Sequence, residues 1–364
     1  MKILVINTVP TDKNGITNVI FNYFNAIDDD VSIDYVAVNS PDTYYKNLLE
    51  KRGAILYSLN RRNVLGYISS LAKIVKKKKY DAIHVHGNSH TVLLELIAAK
   101  IAGCNNRIIH AHSTNCGSIV LHKLLETPFN WLCTHRLACG DMAGKFMFGT
   151  KPFKIINNGV DVVKYSFDIK KRASLRAKLS LSDNDTLIGH VGYFLALKNQ
   201  SFLVDVFAEL VKRNNNYHLV LIGDGALRPE IEKKVDSLGL KDKVTFTGNI
   251  NNVSDFLNAI DLIVMPSLFE GLPLTLVEQQ ANGLRCVVSD AITTEADKTG
   301  NMTFLPLSMS VSEWVDKING MQQDSDKDRI MRSEKAVSDI AASGYSIKEE
   351  ARKLKGYYIK AIRG

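Results

Sequence analysis

The chain has 364 residues, 45% of them hydrophobic, with 46 Lys/Arg against 38 Asp/Glu and five cysteines. That length exceeds one ordinary core and predicts two domains, while no apolar run is long enough to span a bilayer. Five scattered thiols with no C-x-x-C pair exclude a disulfide scaffold and a structural zinc module.

The net charge of +8 lies wholly in residues 1–165, which hold 20 Lys/Arg against 12 Asp/Glu; residues 166–364 hold 26 of each. No helix-turn-helix or zinc-finger pattern accompanies the basic half, so nucleic acid is not expected as a partner. An anionic membrane face or a phosphate-bearing acceptor is. The opening MKILVINTVP reads as a buried strand over 2–9 rather than a signal peptide, because Pro10, Asp12 and Lys13 break the run. The protein is therefore expected in the cytosol.

A loop with Gly15 follows, then Ile16, Val19, Ile20 and Phe24 at helical spacing. Strand, glycine loop and helix make a Rossmann-like opening, without the G-x-G-x-x-G triad of a dinucleotide site. Strands are expected over 32–38 and 54–59, with a helix over 43–51 between them. Residues 63–79 form a basic amphipathic helix. Leu65, Ile68, Leu71, Ala72 and Val75 make its stripe, and Lys73 and the lysine run 76–79 supply its charge. It is either a solvated face or a dock for anionic headgroups.

Strands over 82–86 and 107–111 end in HVH and HAH. Alternation puts His84 with His86 on one side of the first, and His110 with His112 on one side of the second. Zinc is disfavoured, since no HExxH motif accompanies them. One imidazole serving a hydroxyl or a developing negative charge fits better. A single helix is expected over 119–134, a strand over 136–139, a short helix over 141–148, and a strand over 153–156. The Asn-Gly turn of NNGVD, 157–161, ends the domain.

Residues 162–185 are polar, with one helix near 170–179, and the domain boundary is placed at 165/166. A strand over 186–191 runs into GYFLALKNQ. Gly192 permits close backbone approach, and Lys198 stands just before a helix over 200–213. Unpaired amides at a helix start plus a mobile cation suit a diphosphate. A strand over 217–222 leads to a turn with Gly223 and Gly225, then a helix over 227–238 with Arg228 near its start. Another strand spans 244–248.

Residues 262–290 read LIVMPSLFEGLPLTLVEQQANGLRCVVSD: strand, loop, helix, strand. Such a loop lies at the carboxyl end of a parallel strand, where open α/β sheets bind ligands. Glu270 and Gly271 stand in the loop, Leu272 and Pro273 lead into the helix, and Glu278 follows on the helix itself. Pro273 suits a first helical turn. A phosphate can sit on the helix start while a carboxylate accepts bonds from hydroxyls. Helices over 312–321 and 327–341 and a last one over 346–364 complete the chain.

The pattern P-S-x-x-E-G-x-P-x-x-x-x-E, with seven residues between Glu270 and Glu278, resembles the E-x7-E signature of the family-4 glycosyltransferases. These are retaining, nucleotide-sugar-dependent enzymes of the GT-B fold. The likeness covers nearly the whole chain and is strongest over 262–290. It implies an α/β architecture of two Rossmann-like domains facing a central cleft. Residues 1–165 would bind the acceptor and 166–345 the nucleotide-sugar donor, and the helix of 346–364 would cross back to the first domain.

It also implies transfer of a sugar from a UDP-sugar to a hydroxyl of a saccharide or polyprenyl-phosphate-linked acceptor, in capsule or exopolysaccharide synthesis. The work would be done at the inner membrane face, with no metal and no bound cofactor. By the family's pattern Glu278 would hold the ribose hydroxyls. Glu270, with Gly271 and Leu272, would meet the donor sugar or its phosphates. Gly192, Lys198, Gly225 and Arg228 would surround the diphosphate, and Gly15 would border phosphate and acceptor. His112, in RIIHAHS, would serve the transferred sugar or the developing charge, with His86 second. His112, Glu270 and Lys198 are thus the catalytic candidates.

Tyr193 departs from the pattern: relatives carry G-R-x-x-x-x-K, and its arginine fork is lost here. Asp28, Asp29 and Asp30 look like a metal-binding D-x-D, but stand in an expected surface turn rather than at a strand end. A UDP-sugar epimerase and a non-catalytic membrane-associated sugar-nucleotide binder are the rivals. The E-x7-E pattern speaks against the first, and Tyr193 keeps the second open.

Overall fold

Alternating strands and helices make parallel sheets, whose strands are covered on both faces and so read as unbroken apolar runs. The computed structural model describes residues 1–12, 14–321 and 324–364. It divides into two units, Met1–Gly159 with Ile347–Gly364, and Val160–Ser346.

In the first unit the strands are β1 (Lys2–Asn7), β2 (Ser32–Ala37), β3 (Leu56–Ser58), β4 (Ala82–His86), β5 (Asn106–Ala111), β6 (His135–Ala138) and β7 (Lys154–Ile155). All pair in parallel, in the order β3-β2-β1-β4-β5-β6-β7. Between them run α1 (Gly15–Ala26), α2 (Thr43–Lys51), α3 (Val64–Lys78), α4 (Leu93–Ile101), α5 (Ile119–Leu124), α6 (Glu126–Leu132) and α7 (Asp141–Phe148). Asn14, Asp42 and Asn63 cap the first three, each side chain accepting from a backbone N–H of the first turn. Leu71 and Val75 of α3, Leu96 of α4, Phe129 of α6 and Met147 of α7 share one core with Leu4, Ile6, Ile83 and Ile109.

The single helix expected over 119–134 is two. Pro128 has no N–H to give the Leu124 carbonyl, and its ring crowds that carbonyl, so the helix breaks at Leu125.

The second unit holds α8 (Val162–Tyr165), α9 (Ile169–Lys178), β8 (Thr186–Val191), α10 (Gln200–Arg213), β9 (Tyr217–Ile222), α11 (Arg228–Ser237) and β10 (Val244–Gly248). It continues with α12 (Val253–Ala259), β11 (Leu262–Met265), α13 (Leu274–Ala281), β12 (Arg285–Ser289), β13 (Met302–Leu305), α14 (Val311–Asn319) and α15 (Asp326–Ala342). Its six parallel strands lie in the order β10-β9-β8-β11-β12-β13. Leu203, Phe207, Leu210 and Trp314 pack on one face of this sheet; Leu257, Ile260 and Leu276 belong to the core on the other. The edge strand β13 was not anticipated, because four residues between Asn301 and Pro306 carry no readable period.

The units divide between Gly159 and Val160 rather than at 165/166. The short α8, capped by the Asp161 carboxylate on the Lys164 N–H at 3.0 Å, buries Val162 with Val277, Ala281, Ala336 and Ile340. The last helix, α16 (Ile347–Arg363), belongs to the first unit. Gly159 makes room for it: a Cβ there would lie 2.7 Å from the Ile347 Cα. The Tyr358 hydroxyl meets His84 Nδ1 at 2.6 Å, and the fully buried Glu350 accepts from the Asn157 N–H at 2.9 Å. No helix among the described residues is long and apolar enough to cross a membrane.

Candidate active site

In the second sheet β9 lies on one side of β8 and β11 on the other, so the strand order reverses between β8 and β11. That switch point is where loops at strand carboxyl ends diverge and leave room for a ligand. The loop after β8 carries Gly192 to Lys198; the loop after β11 carries Ser267 to Gly271. They are tied together by Leu268 N–H donating to the Leu197 carbonyl at 2.8 Å, and by the Asn199 amide donating to the Pro266 carbonyl at 3.1 Å. Lys198 Nζ sits 2.5 Å from Glu270 Oε1, with both side chains largely buried. The Glu270 backbone also bridges Ile292. A cation and an anion thus face each other between the two loops, and an incoming diphosphate would compete with Glu270 for the ammonium.

The glycines of this region are there for space. Gly223, at φ 137°, would place a Cβ 2.1 Å from the Gly192 carbonyl oxygen; Gly225, at φ 158°, would place one 2.6 Å from the Phe194 carbonyl oxygen. The loops after β8 and β9 therefore lie backbone against backbone, as only glycine permits. Arg228 is held by Glu232 at 2.7 Å and Asp224 at 3.3 Å, so it would have to leave two acids to reach a phosphate. Gly271 is exposed with open space around its Cα, while Leu272 packs into the core and anchors the helix start. Pro273 is the N-cap of α13 rather than part of its first turn, with φ −74° and ψ 107°.

Glu278, on α13, is partly buried. Burial pushes its carboxyl up to about 7, against a hydrogen bond from Tyr165 and the charge of Lys164, which pull it down.

One residue of this region escaped the sequence reading. His190 is buried in β8, its Nδ1 3.0 Å from the Val264 carbonyl. A carbonyl only accepts, so Nδ1 carries the proton and Nε2 is a bare acceptor. Nε2 has no partner, and burial, with Lys198 adding to it, pushes the imidazole down to about 4. A Cβ on Gly192 would be 3.4 Å from that Nε2 and 3.4 Å from Lys198 Cδ and Cε. A histidine inside an otherwise apolar strand, TLIGHV, was the available signal.

The first unit holds the other candidates. Gly15 opens α1 with nothing within 4 Å of a Cβ. His112 Nε2 is hydrogen-bonded to His86 Nδ1 at 2.8 Å. Burial pushes His112 down to about 4, with Asn158 acting the other way, and pushes His84 down to about 3. His86 and His110 lie well below their ordinary range for the same reason, so all four rings are neutral at physiological pH.

Ligand nitrogens of His84, His86 and His110 lie within 4.8 Å of one another. The His84 and His110 rings are parallel to 7°, with centroids 5.4 Å apart. Imidazole lone pairs lie in the ring plane, so those two do not converge on one ion, and the group holds no carboxylate. The Asp28–Asp30 turn is taken up by cations: Asp28 and Asp30 by Lys355 at 2.7 and 2.8 Å, and Asp29 by Arg52 at 2.7 Å.

A family model described as Glycosyl transferases group 1 matches residues 171–336. The putative glycosyltransferase EpsF of Bacillus subtilis (strain 168) is 31% identical over 328 residues, 84% of this chain and 84% of that protein. The UDP-Gal:alpha-D-GlcNAc-diphosphoundecaprenol alpha-1,3-galactosyltransferase of Escherichia coli is 29% identical over 314 residues, 80% of this chain and 79% of that one. Among solved structures, Anabaena HepE in complex with UDP-glucose shares the fold at a TM-score of 0.79 and 19% identity, over 99% of this chain and 100% of that one.

Proposed function

The chain belongs to the group 1 glycosyl transferases, and from that membership we propose that it moves a sugar, with retention, from a UDP-sugar to a hydroxyl of a saccharide or polyprenyl-phosphate-linked acceptor in capsule or exopolysaccharide synthesis. The bond from the anomeric carbon to the diphosphate oxygen breaks, the acceptor oxygen takes its place, and the acceptor proton passes to the departing diphosphate. Lys198 and the helix-start amides meet the charge that builds on the leaving group, which lets the reaction run without a metal. Glu270 positions Lys198 and the donor, Glu278 holds the ribose, and His112 offers a neutral imidazole to the sugar. The acceptor is met at an anionic membrane face.

The observation that supports this reading best is the Lys198–Glu270 pair at the switch point, with Glu278 on the helix that follows. The E. coli relative, whose name gives a UDP-sugar donor and a diphosphoundecaprenol acceptor, supports the substrate classes. Incubation with a panel of UDP-sugars and an extract of lipid-linked saccharides tests it. Sugar transferred only when donor and acceptor are both present is expected. An epimerised nucleotide sugar formed without acceptor, or binding with no product, overturns it.

A further inference from the structure

The chain's charge is more unequal than its halves suggest. With α16 assigned to it, the first unit carries 25 Lys/Arg against 13 Asp/Glu, a net +12, and the second 21 against 25, a net −4. Part of the first unit's excess sits on one helical layer. In that layer α3 packs on α4 and α4 on α6. Lys73, Lys76, Lys77, Lys100 and Lys123 are exposed there. The acids of α3 to α6 are Glu95 and Glu126, and Glu95 is buried against Arg61 at 2.9 Å and the Tyr67 hydroxyl at 2.7 Å.

Into this basic layer α5 and α6 bring apolar side chains that face outward. Val120 is 66% exposed, Leu124 72% and Trp131 81%. Val120 and Leu124, one turn apart, share the side of α5 away from the buried His122, and Trp131 lies across α6 from the buried Phe129. Large apolar groups gathered on a lysine-bearing face are the pattern of a surface that needs a partner with an oily interior and an anionic skin. Tryptophan favours that boundary, where its ring is buried and its N–H stays wet.

We infer that the outer face of the α3–α4–α5–α6 layer docks on an anionic phospholipid bilayer, with Val120, Leu124 and Trp131 entering the headgroup boundary and the lysines lying among the phosphates. The inference rests on the proposed reading for its purpose, since a docked chain meets a polyprenyl-linked acceptor at the surface. Its test does not use turnover, so the two can fail separately.

Sedimentation with phosphatidylcholine vesicles, with and without phosphatidylglycerol, reads the docking directly. The expected result is binding to the anionic vesicles that weakens with salt. It should be accompanied by quenching of Trp131 by brominated lipid, while Trp314, fully buried, stays bright. The triple variant Val120→Ser, Leu124→Gln, Trp131→Gln is expected to lose vesicle partitioning by about tenfold or more with an unchanged melting curve. Lys76→Glu with Lys77→Glu should lose binding only to the anionic vesicles. Absence of binding by the unaltered chain, or equal binding by the triple variant, overturns the inference. So does a concentration-dependent dimer that the triple variant abolishes, which would assign the face to a second copy of the chain.

Discussion

Glu278→Gln separates what this carboxyl does to the fold from what it does for a ligand. Burial raises it from its ordinary 4.5 to about 7. The folded chain therefore keeps a proton that the unfolded chain gives up. Its contribution to stability is whole below about 4.5, is lost as pH rises through about 7, and is flat above that. A difference of about 2.5 units corresponds to about 3 kcal/mol. The side chain keeps some exposure, and screening brings the working figure to about 2 kcal/mol. Glutamine is neutral throughout, so the variant and the unaltered chain should match near pH 4.5 and differ by that amount at pH 8. For a unit of this size the variant's thermal midpoint at pH 8 should then lie about 5 °C higher by calorimetry.

Binding should move the other way. An ionised carboxylate can accept two ribose hydroxyls in charge-assisted bonds worth about 1.5–3 kcal/mol each, and an amide cannot match them. UDP affinity by titration calorimetry should fall about 10- to 100-fold in the variant. In the unaltered chain it should tighten from pH 6 to 8, as Glu278 ionises, and in the variant it should not. A variant less stable than the unaltered chain at pH 8, or one that binds UDP as well, refutes the reasoning.

Lys198→Ala removes the cation and strands a largely buried Glu270, so kcat/KM for the UDP-sugar should drop by about 100-fold, measured from initial rates. Tyr193→Arg supplies the fork that the loop after β8 lacks, and UDP should bind about tenfold tighter by calorimetry; an unchanged affinity would show that phosphate is not gripped from this position. Gly225→Ala puts a Cβ against the Phe194 carbonyl at φ 158°, and should cost about 1–3 kcal/mol and several degrees of melting temperature. Gly15→Ala, in open space, should cost none. His190→Asn keeps a donor for the Val264 carbonyl and withdraws the Nε2 acceptor from beside Lys198, leaving only the shorter amide oxygen. The donor KM should rise while the melting curve stays put; a fall in melting temperature with KM unchanged would mark His190 as purely structural.

The elements legible in the sequence were those whose signal is local. The run LIVM, the loop S-L-F-E-G and the stripe Leu276, Val277 and Ala281 gave strand, loop and helix within a residue or two, because each is set by neighbours along the chain. Helix 119–134 failed for a local reason that was visible, Pro128. Strand β13 and helix α8 failed because four residues show no period, and both form only because a neighbouring strand or helix is already there to receive them. Arg228 looked available from its place at a turn; Asp224 and Glu232 occupy it, one from the loop before and one a turn further along α11.

The amino-acid order alone determined the succession of strands and helices, the glycine turns and the seven-residue separation of Glu270 from Glu278, since these depend on periodicity, backbone freedom and distance along the chain. Tertiary structure decided what meets. It laid β8 beside β11, so that Lys198 reaches an acid 72 residues away, and it turned the Nε2 of His190 toward Gly192 and the Lys198 stem. It added α16 and its charge to the first unit and left Leu124 and Trp131 on the outside. Those outcomes follow from sheet order and packing, which join residues that no local pattern relates.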